Sequence, residues 1–245
     1  MRASTAALVL IVLAASLMAL VSVLMPGLDI AIARYFFDPQ TQQFPVASIA
    51  SLHWLREQGP VIVTTTIACL IGTLVRKFIY PRRPLLIPGR AMLFLALTLA
   101  IGPGLVVNVA LKNHWGRPRP VQVTQFGGHD RYVPWWDDHG TCPHNCSFVS
   151  GEASMAAWLF APAVLLPPPW RALALGGAAV FTAIIGFLRM AYGGHFFTDT
   201  VFGALLTLLV IWLVHGFIYR WPRTRLDERI IDKRLEDFAS ARRRR

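Results

Sequence analysis

Three short segments of the chain carry the residues able to do chemistry, and each adjoins a long apolar stretch. They are Lys112–Pro120, Cys146–Ser154 and Arg189–Asp199. Placing a charged side chain beside a membrane-type stretch is energetically unfavourable unless the charge is paired or has a function. Such side chains therefore mark candidate functional sites. If the apolar stretches are membrane helices, the three segments lie at the same depth. Helix packing would then gather them into one pocket.

The chemistry predicted from these segments begins with binding of a tetrahedral oxyanion. Lys112, Arg119 and Arg189 supply three cations, and an arginine fork matches two phosphate oxygens. Ser150 and Gly151 stand at a predicted helix start, where a hydroxyl, unpaired N–H groups and the helix dipole favour an anion. The sequence therefore predicts a phosphate-binding site.

A nucleophile is predicted beside that site. His195 and Asp199 are spaced i, i+4, so they share a face on the first turn of a helix. A carboxylate that accepts from one ring nitrogen orients the imidazole and leaves the other nitrogen free to attack. Gly193 and Gly194 remove side-chain bulk ahead of His195, which favours close approach of a ligand. Cations, a helix start and an oriented histidine together indicate phosphoryl transfer.

Each of these residues also has a purely structural interpretation. Arg119 between two prolines suits a rigid interfacial turn, and Ser150 suits a helix cap. Glu152 in a first turn suits a partner of the helix dipole, and His195 with Asp199 suits a helix-start hydrogen bond. Their joint occurrence on one membrane face favours the catalytic interpretation, because intramembrane charges are costly.

The elements that position these residues are predicted to be membrane helices. Of 245 residues, 55% are apolar and 15% charged, which argues against both a disordered chain and a water-soluble domain. About 20 mostly apolar residues span a bilayer. Six segments are candidates, of which the second and fourth are short for a span: 6–25, 60–75, 91–111, 153–166, 173–188 and 200–219. The predicted fold is an all-α bundle of six transmembrane helices over residues 1–219.

The distribution of basic residues predicts the orientation of this bundle. The chain has a net charge of +11, and 17 of its 24 basic residues fall at the termini and in the second and fourth connections between spans. The positive-inside rule then places both termini in the cytoplasm. Segments 27–59 and 112–149 face outward, the latter as a cap between helices 3 and 4. Residues 220–245 form a basic cytoplasmic tail, with Arg242–Arg245 solvated or on anionic lipid rather than on nucleic acid.

Two further points concern the N-terminal span and the cysteines. The first span exceeds the length of a signal-peptide core, so cleavage after Ala31–Ala33 is disfavoured. Cys69 lies inside a span and is predicted to be buried. Cys142 and Cys146 lie in the outward segment, where a disulfide is allowed. A zinc site with His139 and His144 is the alternative, but the spacing is uncommon, so a disulfide is favoured.

The combined spacing of these residues resembles the three signature motifs of the type 2 phosphatidic acid phosphatase superfamily. The matching residues are Lys112 and, seven positions on, Arg119-Pro120; Ser150-Gly151; and Arg189, His195 and Asp199. By that resemblance, His195 attacks the phosphorus and forms a phosphohistidine, and Asp199 orients it. Lys112, Arg119, Ser150, Gly151 and Arg189 would stabilise the transition state without a metal or other cofactor.

Two positions depart from the family pattern. Leu188 stands where the family usually has a serine, which implies one hydrogen bond fewer. Glu152 stands where the family usually has a histidine that protonates the leaving oxygen. A carboxyl group takes that role only if it is protonated. We expect Glu152 to be protonated in the substrate complex, as the general acid, or bridged to Lys112 or Arg119.

The predicted substrate is a phosphate monoester of a membrane lipid. Residues 145–154, with glutamate in place of histidine, are similar to lipid A phosphatases, especially those that remove the 4′-phosphate. That resemblance implies a bacterial inner-membrane enzyme with its site on the periplasmic side. Undecaprenyl diphosphate, phosphatidylglycerophosphate or phosphoryl transfer to another acceptor remain alternatives. A soluble vanadate-dependent oxidase is disfavoured by the spans, and a non-catalytic anionic-lipid binder or transporter is the alternative of a different class.

Overall fold

The protein is built from helices alone across the residues that the structure describes. The computed structural model covers residues 2–243, and the side-chain surroundings at positions 2, 3, 59, 242 and 243 are outside the description. No β-strand forms within that range. The predicted all-α membrane bundle is confirmed. The helices are α1 (Arg2–Leu24), α2 (Leu28–Arg34), α3 (Ala50–Ile79), α4 (Gly89–His114), α5 (Gly151–Leu165), α6 (Trp170–Ala191), α7 (Phe197–Arg220) and α8 (Glu228–Arg243).

Five of the described helices are long and apolar enough to cross a membrane, so the chain is a multi-pass membrane protein. They are α1 from Ser4, α3, α4, α6 and α7. The fourth predicted span is present as the shorter apolar helix α5. At 1.5 Å per residue α5 is about 22 Å long, less than the roughly 30 Å of bilayer hydrocarbon. Helix α5 is therefore shorter than a full crossing of the bilayer.

The bundle core forms where α3, α4, α5 and α7 meet. Trp158 of α5 is fully buried there, and its indole N–H donates to Thr98 Oγ1 at 3.0 Å. Phe94 and Ile218 are equally buried beside it. In contrast, α1 exposes one apolar face, for example Leu10 and Leu24, as expected for a helix that contacts lipid. Cys69 also lies on an exposed face of α3, so the prediction that it is buried is wrong.

Helix α4 changes its winding around Pro103. From Ala100 to Leu111 the backbone follows wider π-helical turns, because the proline nitrogen has no N–H to donate. The side-chain amide of Asn108 donates to the Pro103 carbonyl at 2.7 Å and satisfies one of the displaced backbone groups. The altered winding sets the direction in which Lys112 leaves the end of this helix.

Segment 112–149, which is predicted to face outward, packs over one end of the bundle. After α4 ends at His114, its only regular pieces among the described residues are two short 3₁₀ turns, Pro120–Gln122 and Thr124–Phe126. Val123 and Phe126 are buried with Phe44 and Phe196 in a small apolar cluster that ties this segment to the start of α7. Cys142 and Cys146 are joined by a disulfide, with 5.7 Å between their Cα atoms. This cap surrounds the ends of α4, α5, α6 and α7.

The basic C-terminal region forms a helix rather than an extended tail. Helix α8 packs against α3 and α4, where Lys77 pairs with Glu236 at 3.3 Å and Phe78 contacts Phe238. A carboxylate oxygen of Asp232 accepts the backbone N–H of Gly89 at 3.1 Å, at the first residue of α4. The predicted solvated stretch Arg242–Arg245 lies outside the described side chains.

Candidate active site

His195 is buried just before α7 and is held in one tautomer. Its Nδ1 lies 2.7 Å from the carbonyl oxygen of Ser147, and its side chain is 2% exposed. A carbonyl only accepts, so Nδ1 carries the proton and donates it, which leaves the lone pair of Nε2 free. Asp199 Oδ2 is 3.8 Å from Nδ1. The orienting hydrogen bond therefore goes to Ser147, while Asp199 adds a nearby negative charge.

The Asp199 carboxylate is itself fixed by three donors. Ser147 Oγ donates to Oδ2 at 2.5 Å, and the backbone N–H of Phe196 donates to the same oxygen at 2.8 Å. The guanidinium of Arg117 donates to Oδ1. Asp199 is fully buried, so each of these bonds offsets part of the cost of burying its charge. The result is a rigid support beneath the imidazole.

Arg117 and Asp29 complete a buried charge network that sequence reasoning missed. Arg117 is fully buried; its Nη2 donates to Asp29 Oδ2 at 2.7 Å, and its Nε donates to the Val133 carbonyl at 2.8 Å. Asp29, from α2, also accepts the Thr198 hydroxyl and N–H at 2.6 and 3.0 Å. Burial alone would lower the pKa of Arg117, but the two carboxylates hold that pKa above its ordinary value.

Lys112 and Arg119 converge on one acceptor, the side chain of Asn145. Lys112 Nζ donates to Asn145 Oδ1 at 3.3 Å, and Arg119 Nη2 donates to that oxygen at 3.1 Å and to the Asn145 carbonyl at 2.9 Å. Burial lowers the pKa of Arg119, but a guanidinium keeps its charge at any physiological pH. Asn145 was not predicted as a site residue, and only its position next to the second motif pointed to it.

Ser150 and Gly151 lie at the start of α5, as predicted. The Ser150 hydroxyl accepts the N–H of Ala153 at 3.3 Å, so it caps the helix, and Ser150 N–H donates to the Asp199 carbonyl at 2.9 Å. A side chain at Gly151 would lie 3.1 Å from Lys112 Nζ. The missing side chain therefore lets the ammonium group of Lys112 approach the N-terminus of α5. Phosphate binding by Ser150 and Gly151 stays a prediction.

Arg189 lies near the end of α6, and its side chain extends towards the N-terminus of α5. Its guanidinium lies against Gly194, where any side chain would collide with it. The glycine therefore makes room for Arg189, rather than for the ligand alone as the sequence suggested. Arg189 Nε is buried without a hydrogen-bond partner among the described residues, and so is the hydroxyl of Tyr192. Two buried donors without acceptors are unusual, and an acceptor-rich ligand would satisfy both.

Glu152 is paired with two arginines, and these are not the partners expected. Arg56 of α3 donates from Nη2 to Oε1 at 2.8 Å and from Nε to Oε2 at 3.0 Å. Arg189 Nε lies 3.3 Å from Oε2. The expected bridge to Lys112 or Arg119 is not formed, because α5 presents Glu152 towards α3 and α6. Lys112 and Arg119 instead face Asn145.

The predicted residues thus share one end of the bundle, although the side-chain partners differ from those expected. Lys112 with Arg119, Glu152 with Arg189, and His195 with Asp199 form adjoining pairs or clusters. Sequence reasoning missed Asp29, Asn145, Ser147 and, as a contact of the site, Arg56. Arg117 was seen only as a basic residue of the first motif. The repeated Arg-Pro at 117–118 and 119–120 is the one sequence signal that pointed to it.

We expect protein stability to report the neutral state of His195. Burial, reinforced by the positive charge of Arg189, lowers the pKa of His195 to about 4. The unfolded histidine takes up a proton near pH 6.5, so unfolding is favoured progressively as the pH falls from about 6.5 to about 4. The difference between the pKa values of the folded and unfolded states lowers the free energy of unfolding by roughly 3 kcal/mol over this pH range.

Thermal unfolding in detergent at several pH values, with His195→Gln as the comparison, measures this effect. The Tm of the wild-type protein should fall more than that of His195→Gln between pH 6.5 and 4. Parallel curves for the two proteins would contradict a buried neutral imidazole.

The chain was compared with known proteins. Residues 91–223 match the family model described as the PAP2 superfamily. A lipid A 4′-phosphatase from Francisella tularensis subsp. novicida is 40% identical over 201 residues, which cover 80% of this chain and 88% of the relative. No solved structure gives a significant match.

Two further relatives match a little under half of the chain. Lipid A 4′-phosphatases from Rhizobium leguminosarum and Rhizobium etli are 43% and 44% identical over 113 and 112 residues. Each alignment covers 46% of this chain, and 48% and 44% of the respective relative. The predicted resemblance to membrane lipid phosphatases is confirmed by these matches. The chain belongs to the PAP2 superfamily.

Proposed function

We propose that the protein removes the 4′-phosphate of lipid A by hydrolysis through a phosphohistidine intermediate. The observation that carries the proposal is the orientation of His195, whose Nε2 is left free while its Nδ1 is bound to the Ser147 carbonyl. Three cationic side chains, Lys112, Arg119 and Arg189, lie around it at the same end of the bundle. The names of the three relatives support lipid A and its 4′-phosphate as the substrate.

In the first half-reaction the phosphate monoester lies among the cations while His195 Nε2 attacks phosphorus. The N–P bond forms as the P–O bond to the sugar breaks. The sugar oxygen takes a proton, which we assign to Glu152 in the protonated form expected for the substrate complex. Lys112, Arg119 and Arg189 neutralise the charge on the equatorial oxygens, which is the main catalytic requirement of phosphoryl transfer. The imidazole becomes positively charged, and the Asp199 carboxylate nearby stabilises that charge.

In the second half-reaction water attacks the phosphorus of the phosphohistidine. The N–P bond breaks, inorganic phosphate leaves, and the neutral Nδ1–H tautomer of His195 is restored by its bond to Ser147. Glu152 takes the proton that water loses, in the reverse of its first role. All charge stabilisation in this scheme comes from side chains and backbone N–H groups. We therefore assign no metal or other cofactor to the reaction.

The orientation of the site follows from the distribution of basic residues. Arg76, Lys77 and α8 lie at the end of the bundle opposite to His195. The positive-inside rule assigns that end to the cytoplasm, and hence the site to the periplasmic side of the bacterial inner membrane. Both termini then lie in the cytoplasm, and residues 220–245 belong to a cytoplasmic region apart from the phosphatase domain of residues 1–219.

Purified protein in detergent, incubated with bisphosphorylated lipid A and excess chelator, tests this proposal. We expect loss of one phosphate, and tandem mass spectrometry should locate the loss on the sugar that carries the 4′-ester. Phosphatidylglycerophosphate and undecaprenyl diphosphate serve as competing substrates. Faster release from either would contradict the assignment to lipid A. Absence of release from all three would favour a non-catalytic lipid binder.

A further inference from the structure

Arg56 lies outside the three family motifs and yet contacts the site directly. It lies near the start of α3, 96 positions before Glu152 in the chain. Its guanidinium donates to both carboxylate oxygens of Glu152 in a bidentate arrangement, at 2.8 and 3.0 Å. Its guanidinium carbon also lies 5.8 Å from the centre of the Tyr192 ring. A fork of this kind is the geometry that arginine uses for phosphate as well as for carboxylate.

The same corner of the site holds donors that Glu152 does not satisfy. Arg189 Nε is 3.3 Å from Glu152 Oε2, but the geometry is not that of a hydrogen bond, and the atom is buried without another acceptor among the described residues. The hydroxyl of Tyr192 is also buried without a partner in that part of the chain. A single carboxylate has too few well-placed oxygens for Arg56, Arg189 and Tyr192 together.

Charge and accessibility favour replacement of the carboxylate by a phosphate. Four cations surround the site, Lys112, Arg119, Arg189 and Arg56. Glu152 contacts two of them, and the other carboxylate near Arg56 is that of Glu57, 4.0 Å from Arg56 Nη1. The side chains of Arg56 and Glu152 are 26% and 24% exposed, so a ligand can reach the pair. Partly exposed ion pairs are also weaker than buried ones, which makes exchange of one anion for another possible.

We propose that Arg56 is a fourth phosphate-binding cation and that Glu152 is its exchangeable counter-ion. In the ligand-free protein the Glu152 carboxylate pairs with Arg56 and lies close to Arg189. A phosphate monoester dianion, or inorganic phosphate, displaces the carboxylate and takes both guanidinium groups. The inference rests on the proposed function for the identity of the substrate. The exchange itself concerns phosphate binding and needs no turnover.

The competing interpretation is that the Arg56–Glu152 pair only fastens α3 to α5. The two interpretations predict opposite effects for Glu152→Gln, which removes the charge and keeps the shape. If the carboxylate competes with phosphate, its neutralisation strengthens phosphate binding. If the pair serves only to hold α3 against α5, the substitution weakens that contact and leaves phosphate binding unchanged or weaker.

The test is a calorimetric titration of inorganic phosphate into the full chain in detergent. For Glu152→Gln the Kd should fall about tenfold, and for Arg56→Ala it should rise about tenfold or more, as expected for loss of a charge-assisted fork. In the double variant, Arg56→Ala should still weaken binding relative to Glu152→Gln alone. Arg131→Ala removes an exposed positive charge of the same outward segment and is the matched control, expected to change the Kd less than twofold.

Two results would overturn the proposal. One is an unchanged or higher Kd in Glu152→Gln, and the other is no effect of Arg56→Ala once Glu152 is glutamine. If Arg56→Ala does not fold, Arg56→Lys keeps the charge and loses the fork, and its Kd should rise about threefold. Because phosphate binding is measured without a lipid substrate, failure of this inference is distinguishable from failure to hydrolyse lipid A.

Discussion

Replacing His195 by alanine should lower the rate of phosphate release at least about 10⁴-fold, because the nucleophile of the reaction is lost. A protein rapidly quenched during turnover of ³²P-labelled substrate should carry label that is stable to alkali and lost in acid, as a phosphoramidate is. His195→Ala should carry none. The neutral Nδ1–H tautomer fixed by Ser147 leaves Nε2 as the atom expected to carry the label.

His139 and His144 provide the matched control for this prediction. Both lie in the same outward segment, the His139 side chain is 89% exposed, and His144 is also exposed. Alanine at either position should leave both turnover and labelling within about twofold of wild type, since exposed substitutions away from the site have little effect. Label that persists in His195→Ala, or a residual rate within tenfold of wild type, would rule out His195 as the nucleophile.

Replacing Arg117 by methionine should destabilise the protein by about 3–5 kcal/mol, because removal of one partner leaves buried charges uncompensated. Two carboxylates lose their partner at once, those of Asp29 and Asp199. Turnover should fall too, since Asp199 would no longer be held beneath His195. Thermal unfolding in detergent gives the stability change, and phosphate release by the protein that remains folded gives the catalytic change.

A double variant separates the charge effect from a general packing defect. Asp29→Asn in the Arg117→Met background removes one of the orphaned charges, so the double variant should unfold at a higher temperature than Arg117→Met alone. Neighbours within one charge network are expected to be non-additive in this way. The exposed Arg131→Ala is the reference for loss of a positive charge. A Tm for Arg117→Met equal to that of Arg131→Ala would mean that the buried network contributes nothing.

Much of the fold was predictable because a membrane-spanning helix can be recognised from its own run of apolar residues. A run of about 20 apolar residues is sufficient to place a span. The second and fourth predicted spans were the least secure in the sequence, and the structure has them as the long helix α3 and the short helix α5. The helix α8 was not predicted, because its residues are mostly charged and it is placed by pairs such as Lys77–Glu236.

The sequence by itself determined the chemistry of the site: its cations, its histidine and its membership of a family were readable from types and spacing in three segments. The tertiary structure decided which charges are paired. Arg56 and Glu152 are 96 positions apart, and Asp29 and Arg117 are 88 apart. An arginine in an outward segment has the same local pattern whether it is solvated, like Arg131, or fully buried, like Arg117. Burial and partner choice depend on how helices pack, and no local pattern of residues encodes them.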